Sequence, residues 1–215
     1  MEGGKKKFFS NIGWLMGGKI VNMLLQFFVS LATARYLGPS NFGTINYVAA
    51  FVSFFSSIAS LGLAVIVIKE IATDKYDNNE VIWTSIWMRF GTAVLSTISI
   101  IALIFITNRD DSMIVQIAFL ESLSILFSSF DTINYYFQAR LLAKWSSIAG
   151  VLAYVGMSLY RIYLLATNAD IVWFAFATST DMIFLTVFLM IFYIRIEGFR
   201  PKFNWQLGKR LLKQS

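Results

Sequence analysis

The sequence predicts an all-α integral membrane protein, a bundle of six transmembrane helices. Six apolar stretches follow one another, and each has the roughly 20 residues that a helix needs to cross a hydrocarbon layer about 30 Å thick. Charged residues make up only 14% of the 215 residues, against about 25% in a typical soluble domain. The basic residues are also sorted into alternate connections between the stretches.

The six predicted spans are helical because lipid offers no partner to an unpaired backbone group. Each therefore satisfies its own backbone hydrogen bonds. The spans cover residues 8–34, 41–68, 82–106, 113–137, 145–166 and 171–194.

The connections between the predicted spans are short, so neighbouring helices must run antiparallel in one compact domain, residues 1–198. The first connection, Arg35 to Ser40, contains Gly38 and Pro39. Proline cannot continue a helix, and glycine accepts the backbone conformation that ends one.

Residues 199–215 are predicted to form a basic amphipathic segment on the cytoplasmic membrane surface. An ordinary polar tail is the alternative. The segment mixes basic residues with Phe203, Trp205, Leu207, Leu211 and Leu212.

The distribution of lysine and arginine predicts the orientation in the membrane. Thirteen of the 18 lie in the termini and in alternate connections, and only Arg35 and Arg109 lie in the others. By the positive-inside rule, both termini face the cytoplasm of a bacterial inner membrane. The net charge of +6 therefore reflects orientation and contact with membrane lipids, and we expect no binding of nucleic acid.

Several classes of chemistry are excluded by composition. The chain has no cysteine and no histidine, so it lacks disulfides, thiolate metal sites and the commonest general base. Asp110 and Asp111 are interpreted as a solvated loop because no third ligand lies nearby. We expect no metal site, no cofactor and no enzymatic activity; a membrane-bound transferase is a weaker alternative.

Polar residues recur at helical spacing in the spans, which predicts one polar face on each helix and a shared water-filled lumen. The alternative is that serine and threonine only hold helices together. The residues predicted to line the lumen are Asn22, Gln26, Asn46, Ser53, Ser96, Ser124 and Ser158.

Six charged residues within the spans favour the lumen, because a charge at mid-membrane costs on the order of 3 kcal/mol. Matching their depths predicts three ion pairs. The alternative is that the cations face the lumen unpaired, ready for an anionic ligand. The predicted pairs are Arg89 with Asp131, Arg161 with Glu121, and Lys19 with Asp181.

One further motif concerns helix packing. Gly13 and Gly17 are spaced as in the small-residue motif that lets a neighbouring helix approach closely.

The stretch Ala34 to Gly43 resembles a signature found between the first two spans of bacterial polysaccharide flippases. These belong to the multidrug/oligosaccharidyl-lipid/polysaccharide exporter superfamily and include the O-antigen and capsule repeat-unit translocases. Weaker similarities occur at 61–63, 69–72, 136–138 and Arg161. The signature residues are Arg35, Leu37, Gly38, Pro39, Phe42 and Gly43.

The resemblance implies a flippase for undecaprenyl-pyrophosphate-linked oligosaccharide that works by alternating access. It implies that Lys19, Arg89 and Arg161 contact the anion. Glu121, Asp131 and Asp181 become candidates for proton or sodium coupling. Tyr136, where the family often has tryptophan, and Leu141–Leu142, where it often has an acid, leave the glycan undefined.

Members of this family have two six-helix lobes, so the chain is expected to be the N-terminal half of a transporter, as a gene fragment or a truncated product. Its partner would be a C-terminal lobe or a second copy. The alternative function within the superfamily is antiport of a small cationic drug. The spans contain three cations and three carboxylates, and this equal balance of charge does not distinguish between the two functions.

Overall fold

The computed structural model describes the backbone of residues 2–214 and the side chains of residues 12–214. The side chains of Lys5, Lys6 and Lys7, which contribute to the predicted orientation, lie outside that part. The described chain is helical and contains no strand. Its elements are α1 (Glu2–Ala59), α2 (Leu63–Ala72), α3 (Asn78–Thr107), α4 (Ser112–Ser128), a 3₁₀ turn (Ser129–Asp131), α5 (Thr132–Ala139), α6 (Ala143–Ala166), α7 (Ile171–Glu197) and α8 (Trp205–Gln214).

Five helical stretches of the described part are long and apolar enough to cross a membrane, whereas the sequence predicts six spans. The difference lies in the first stretch, Ile12–Ala72, which has 61 residues. A straight helix of that length would measure about 90 Å at 1.5 Å per residue, some three times the hydrocarbon thickness. The backbone leaves helical geometry at Gly38, where φ is 71° and ψ is 173°. We call residues 12–37 the first arm and residues 39–59 the second arm.

Contacts along the two arms show that the chain reverses at Gly38. The first arm runs parallel to α6, since Ser147 Oγ donates to the Trp14 carbonyl at 2.8 Å and the Tyr36 hydroxyl donates to the Ala169 carbonyl at 3.1 Å. The second arm runs antiparallel to α3. Asn108 Nδ2 donates to the Tyr47 hydroxyl at 3.4 Å, and Thr92 donates to the Ala59 carbonyl at 3.1 Å. The first stretch therefore holds two of the predicted spans, joined by a tighter turn than predicted.

Two hydrophobic clusters close the two ends of the bundle. The first contains Leu37, Val48, Ile104, Ile117 and Leu164, and we call this the signature end. The second joins α2, the start of α3, α5, the end of α7 and α8. We call it the basic end, and its buried members include Ile71, Val81, Phe137, Tyr193 and Leu211.

The predicted fourth span is broken by the 3₁₀ turn at Ser129–Asp131. Hydrogen bonds in a 3₁₀ turn skip one residue fewer than in an α-helix, so the faces of α5 are rotated relative to those of α4. Asp131 lies at this break. The rotation determines which side chains of α5 face the same side of the bundle as Asp131.

Polar contacts at the basic end tie the connections together. Arg140 hydrogen-bonds to Asp74 and, at 2.8 Å, to Asn78. Glu197 accepts from Asn78 at 2.8 Å and from Tyr136 at 2.7 Å. The hydrogen bond from Arg140 holds the pKa of Asp74 below its usual value. The loops after α2, α5 and α7 are thereby held together on one side of the bundle.

Helix α8 docks on this end. Asn204 Oδ1 caps it by accepting from the backbone N–H groups of Gln206 and Leu207 at 2.9 and 3.0 Å. Leu207 and Leu211 are buried in the cluster with α2 and α3. Arg210 forms a 2.9 Å ion pair with the buried Glu70. Two of the apolar residues that the sequence assigned to the membrane surface thus face the protein, while Phe203, Trp205 and Leu212 stay exposed.

The outer surface of the helices is strongly apolar. On the first arm, Met16, Ile20, Met23 and Phe27 are each more than half exposed. They repeat every three or four residues and form one continuous stripe. Apolar surface of this extent is what a lipid environment or a protein partner covers.

Candidate functional site: the polar face of the bundle

Polar side chains of the first arm, α5, α6 and α7 line a cleft of about 280 Å³ in the half of the bundle nearer the basic end. Because three amide side chains contribute, we call it the amide cleft. Its polar lining includes Lys19, Asn22, Asn134, Gln138, Ser146, Tyr154 and Asp181. Lys19 is exposed and Asn22 is half-buried. The cleft therefore presents a cation beside several neutral hydrogen-bonding groups.

A second cleft, of about 460 Å³, lies between the second arm, α3 and the break after α4. Three serines of the second arm and Ser60, which follows it directly, line one side, so we call it the serine cleft. Arg89, Ser128, Asp131 and Tyr135 line the other side. The four serines are Ser53, Ser56, Ser57 and Ser60.

The two clefts adjoin each other. Met182 and Leu185 of α7 line both of them. Together the clefts form the polar face, which crosses both arms, α3, the α4–α5 break, α6 and α7. Elements remote in sequence thus contribute to one surface.

Arg89 is buried, with 5% of its surface exposed, yet it lines the serine cleft. Its Nη1 donates to the Thr132 hydroxyl at 3.0 Å, and its guanidinium carbon lies 5.8 Å from the centre of the Tyr135 ring. Its Nε has no hydrogen-bond partner. Asp131, the predicted partner, instead accepts a hydrogen bond from Asn134. Neutral groups therefore make the direct contacts of the guanidinium, and the carboxylate of Asp131 acts on it at longer range.

Arg161 of α6 lies between carboxylates of two other helices. Its electrostatic neighbours are Asp181 of α7, then Tyr154, then Glu121 of α4. Glu121 is completely buried, and neither of its carboxylate oxygens has a hydrogen-bond partner. Arg161 Nε also lacks one. Burying such groups without partners is expensive, so this cluster carries an electrostatic cost in the interior of the bundle.

The three predicted ion pairs do not form. Among the described residues, N–O contacts within 4.0 Å join Arg140 to Asp74, Lys202 to Asp77 and Arg210 to Glu70, all at the basic end. The carboxylate that affects Arg161 most is Asp181 rather than the predicted Glu121. Equal depth along the membrane normal did not identify partners, because pairing also depends on how each helix is rotated. Lys19, Arg89 and Arg161 thus lack direct ion pairs among the described contacts, although carboxylates act on both arginines at longer range.

The residues predicted to line the lumen fall into two groups. Asn22 and Ser53 line the two clefts, and Gln26 lines a further cleft of about 480 Å³ along the first arm. Asn46 is exposed, with its amide bonded back to the Phe42 carbonyl at 2.7 Å.

The serines of the third, fourth and fifth spans are buried between helices instead. Ser96 donates to the Phe55 carbonyl at 3.4 Å and joins α3 to the second arm. Ser124 donates to the Glu121 carbonyl within its own helix at 2.6 Å. Ser158 is buried and its hydroxyl has no partner. For Ser96 the reading of serine as interhelical glue is the better one.

Sequence reasoning missed the contributions of α5 and the start of α6, namely Asn134, Gln138 and Ser146. Asn134 bonds to Asp131 and accepts from Ser146, so it links the break after α4 to α6. Its position three residues after Asp131 was the available signal. Because the fourth span was predicted as a straight helix, nothing indicated that Asp131 and Asn134 would lie beside α6.

The described residues contain no group of three or more Asp, Glu, His or Cys side chains that could hold a metal ion. The polar face is therefore described by its cations, carboxylates, hydroxyls and amides alone.

Comparison with protein-family models gives a match that covers nearly the whole chain. The model of a family described as "Polysaccharide biosynthesis protein" matches residues 8–215, nearly the whole chain. No curated protein and no solved structure matches the chain. With its stretches of membrane-crossing length, the chain is a multi-pass membrane protein that belongs to the polysaccharide biosynthesis protein family.

Proposed function

We propose that the chain forms one lobe of a flippase for undecaprenyl-pyrophosphate-linked oligosaccharide in the bacterial inner membrane. Both termini lie in the cytoplasm, and the polar face borders the translocation pathway. A second six-helix lobe, from a C-terminal half or a second copy, completes the pathway. The lobes rock against each other to expose the polar face to either side in turn.

The observation that carries this proposal is that the cations on and beside the polar face have no direct ion pair among the described contacts. Lys19, Arg89 and Arg161 lie at membrane depth, and none is within 4.0 Å of a carboxylate oxygen among the described contacts. A cation there that has no direct ion pair is costly. A pyrophosphate would offset that cost, because charge-assisted hydrogen bonds to phosphate oxygens are among the strongest in proteins.

The neutral groups of the two clefts suit the glycan. Sugar hydroxyls lose hydrogen bonds on leaving water, at a cost of a few kcal/mol each when left without partners. Asn22, Asn134 and Gln138 in one cleft, and four serines in the other, can replace those bonds. This lining supports an oligosaccharide cargo without indicating which sugars it contains.

We assign a coupling role to the carboxylates. Glu121 has two buried oxygens without partners and lies near Arg161, which also interacts with Asp181. Asp131 lines the serine cleft beside Arg89. Binding of a proton or sodium ion at any of these carboxylates would change the balance of charge that the polar face offers to an anion.

The test is complementation in a strain that lacks the gene encoding this chain. We expect the strain to accumulate lipid-linked oligosaccharide on the inner leaflet and the wild-type gene to clear it. The Arg89→Gln gene should clear it at least about tenfold more slowly, which corresponds to losing about 1.4 kcal/mol of interaction. Arg109→Gln is the matched control, because Arg109 is exposed in the loop after α3. Equal clearance by the two variants would remove Arg89 from the pathway, and no accumulation in the deletion strain would refute the flippase.

A second candidate, antiport of a small cation, is favoured by the three acidic residues in the spans, Glu121 above all. The same strains separate the two functions. If deletion leaves the lipid-linked intermediate unchanged but increases sensitivity to cationic drugs, and Glu121→Gln does the same, the chain is an antiporter.

A further inference from the structure

An apolar groove of about 550 Å³ runs along the outside of the bundle between the first arm and α6. Its volume lies within the range of about 300–1,000 Å³ that is typical of small-molecule sites. The groove is lined by Gly13, Trp14, Gly17 and Val21 on the first arm and by Val151 and Leu152 on α6. Of these, Trp14 and Val21 are each 43% exposed.

The two glycines of the helix-packing motif leave this groove open. A β-carbon built on Gly13 or on Gly17 would meet no atom within 4 Å. The motif therefore brings no helix of the described chain close. Its effect is to leave room, where larger residues would fill the groove.

The groove and the amide cleft lie on opposite sides of one contact between the first arm and α6. We call this contact the seam. Both are lined by Gly18 and Ser147. A β-carbon on Gly18 would lie 3.0 Å from Ser147 Cβ, so the two helices pack closely there because residue 18 has no side chain. The seam thus separates an apolar surface facing outward from a polar surface that carries Lys19.

A cation lies close to the groove at the start of α6. Lys144 Nζ lies 5.7 Å from the centre of the Trp14 ring, which lines the groove, and 5.9 Å from that of Trp145. Lys144 and Trp145 are exposed. A cation beside paired tryptophans is the arrangement found where a membrane meets water, and it complements a phosphate group at that level.

We propose that the groove between the first arm and α6 binds the prenyl tail of the lipid-linked cargo. When the cargo first binds, its pyrophosphate lies near Lys144 at the edge of the groove, before it meets the cations of the polar face, and its glycan reaches the amide cleft on the other side of the seam. This inference rests on the proposed function and adds the location of the tail to it. These features suit an amphiphilic cargo, because the apolar groove, the Lys144 cation and the amide cleft lie next to one another along the first arm and α6. An ordinary phospholipid could use the groove and the cation but has no glycan for the cleft.

Photocrosslinking tests the proposal. The protein is placed in nanodiscs of phosphatidylethanolamine and phosphatidylglycerol that contain undecaprenyl pyrophosphate with a diazirine in its prenyl tail. We expect labelling within residues 13–21 and 148–152. Gly17→Phe should reduce that labelling about tenfold, because Gly17 lines the groove and a β-carbon there meets no atom within 4 Å, which leaves room for a ring to enter the groove.

Gly91→Phe is the matched control. Gly91 is also a helical glycine with no atom within 4 Å of a built β-carbon, and it lines a different apolar groove, between α3 and α8. The labelling should be unchanged in this variant. Equal loss in Gly17→Phe and Gly91→Phe, or no loss in either, would overturn the proposal.

Two more probes examine the head group and the choice of occupant. Lys144→Gln should weaken labelling by the pyrophosphate probe but not by undecaprenol with the same diazirine. Phosphatidylglycerol with a diazirine in one acyl chain should label the groove no more than the rest of the apolar surface. Preferential labelling by this phospholipid would show that the groove takes any anionic lipid, and equal effects of Lys144→Gln on both prenyl probes would remove the phosphate contact.

The complementation strain keeps the two proposals separate. If the wild-type and Gly17→Phe genes clear the lipid-linked intermediate equally, the tail site fails while the flippase stands. If deletion causes no accumulation, the flippase fails whatever the crosslinking shows.

Discussion

Gly38 determines where the first helical stretch reverses. Its φ of 71° and ψ of 173° lie in a region that is essentially restricted to glycine. Pro39 follows at once and suits the first position of the next helix, where its missing N–H is not needed. Leu37, one residue earlier, is buried in the cluster at the signature end. Three adjacent signature residues thus end one helix, anchor it and start the next.

Replacement of Gly38 by alanine should destabilise the protein by about 1–3 kcal/mol, since a β-carbon is strained in this conformation. Gly43→Ala is the control. Gly43 is helical with no atom within 4 Å of a built β-carbon, so alanine there should be neutral or stabilising by up to about 1 kcal/mol. The free energies of unfolding in detergent decide this. A Gly38→Ala protein as stable as Gly43→Ala would show that the turn does not need glycine.

At the scale of elements, the 3₁₀ turn and α8 are the two features that most change the picture drawn from the sequence. The turn breaks the fourth span and brings Asn134 toward α6. Helix α8 packs on α2 and α3, with Gly208 placed where a β-carbon would approach Met88 Sδ to 3.3 Å. Both depend on contacts between residues far apart in the chain.

The docking of α8 should depend on the ion pair between Arg210 and the buried Glu70. Arg210→Ala leaves that carboxylate without its cation, which costs more than the loss of an exposed charge. We expect amide exchange in residues 205–214 to accelerate about tenfold, the equivalent of about 1.4 kcal/mol. Hydrogen exchange measured by mass spectrometry reports this directly.

Lys213→Ala is the control for that experiment, since Lys213 is an exposed cation on the same helix. Glu70→Gln should recover part of the protection in the Arg210→Ala background, because a neutral side chain needs no cation. If Lys213→Ala accelerates exchange as much as Arg210→Ala, overall charge and not this pair holds the helix.

For the whole molecule, the arrangement combines an apolar exterior, a polar face on one half of the bundle and a polar network at the basic end. The polar face is divided between six helical segments, so it exists only when the lobe is assembled. The network around Arg140 and Glu197 fixes the loops at the basic end. Such a network of hydrogen bonds is compatible with the rocking motion proposed above.

Cysteine labelling tests the polar face, and the absence of native cysteine makes single replacements straightforward. Lys19→Cys and Ser53→Cys should react with a membrane-impermeant maleimide, because both positions are exposed beside clefts. Ser124→Cys should not react, since Ser124 is 7% exposed and packed between helices. Reaction is measured in inverted vesicles and in intact cells.

Lys75→Cys and Arg109→Cys serve as orientation controls in the same experiment. We expect the first to react from the cytoplasmic side and the second from the outside. If Lys19→Cys and Ser53→Cys react no faster than Ser124→Cys from either side, the polar face is not hydrated and the proposed pathway fails.

Much of the architecture could be predicted from the sequence. Gly38 and Pro39 identified the first reversal, and the spacing of apolar runs identified the spans, because a bilayer of fixed thickness constrains helix length directly. Lys19, Asn22, Ser53, Arg89, Asp131 and Asp181 were predicted for the polar face and line its clefts. Ser96 and Ser124 were not distinguished from them, since a polar stripe looks the same whether it faces water or another helix.

The sequence by itself determined the class of protein, the crossings and their alternating direction, since hydropathy and segment length are properties of the chain alone. Tertiary structure decided which charges meet. Asp181 influences the charge of Arg161 more strongly than Glu121 does, and Arg89 contacts Thr132 and Tyr135. Those outcomes depend on the rotation of each helix and on one 3₁₀ turn. A rotation of a few tens of degrees moves a side chain from one neighbour to another while its depth in the membrane stays the same.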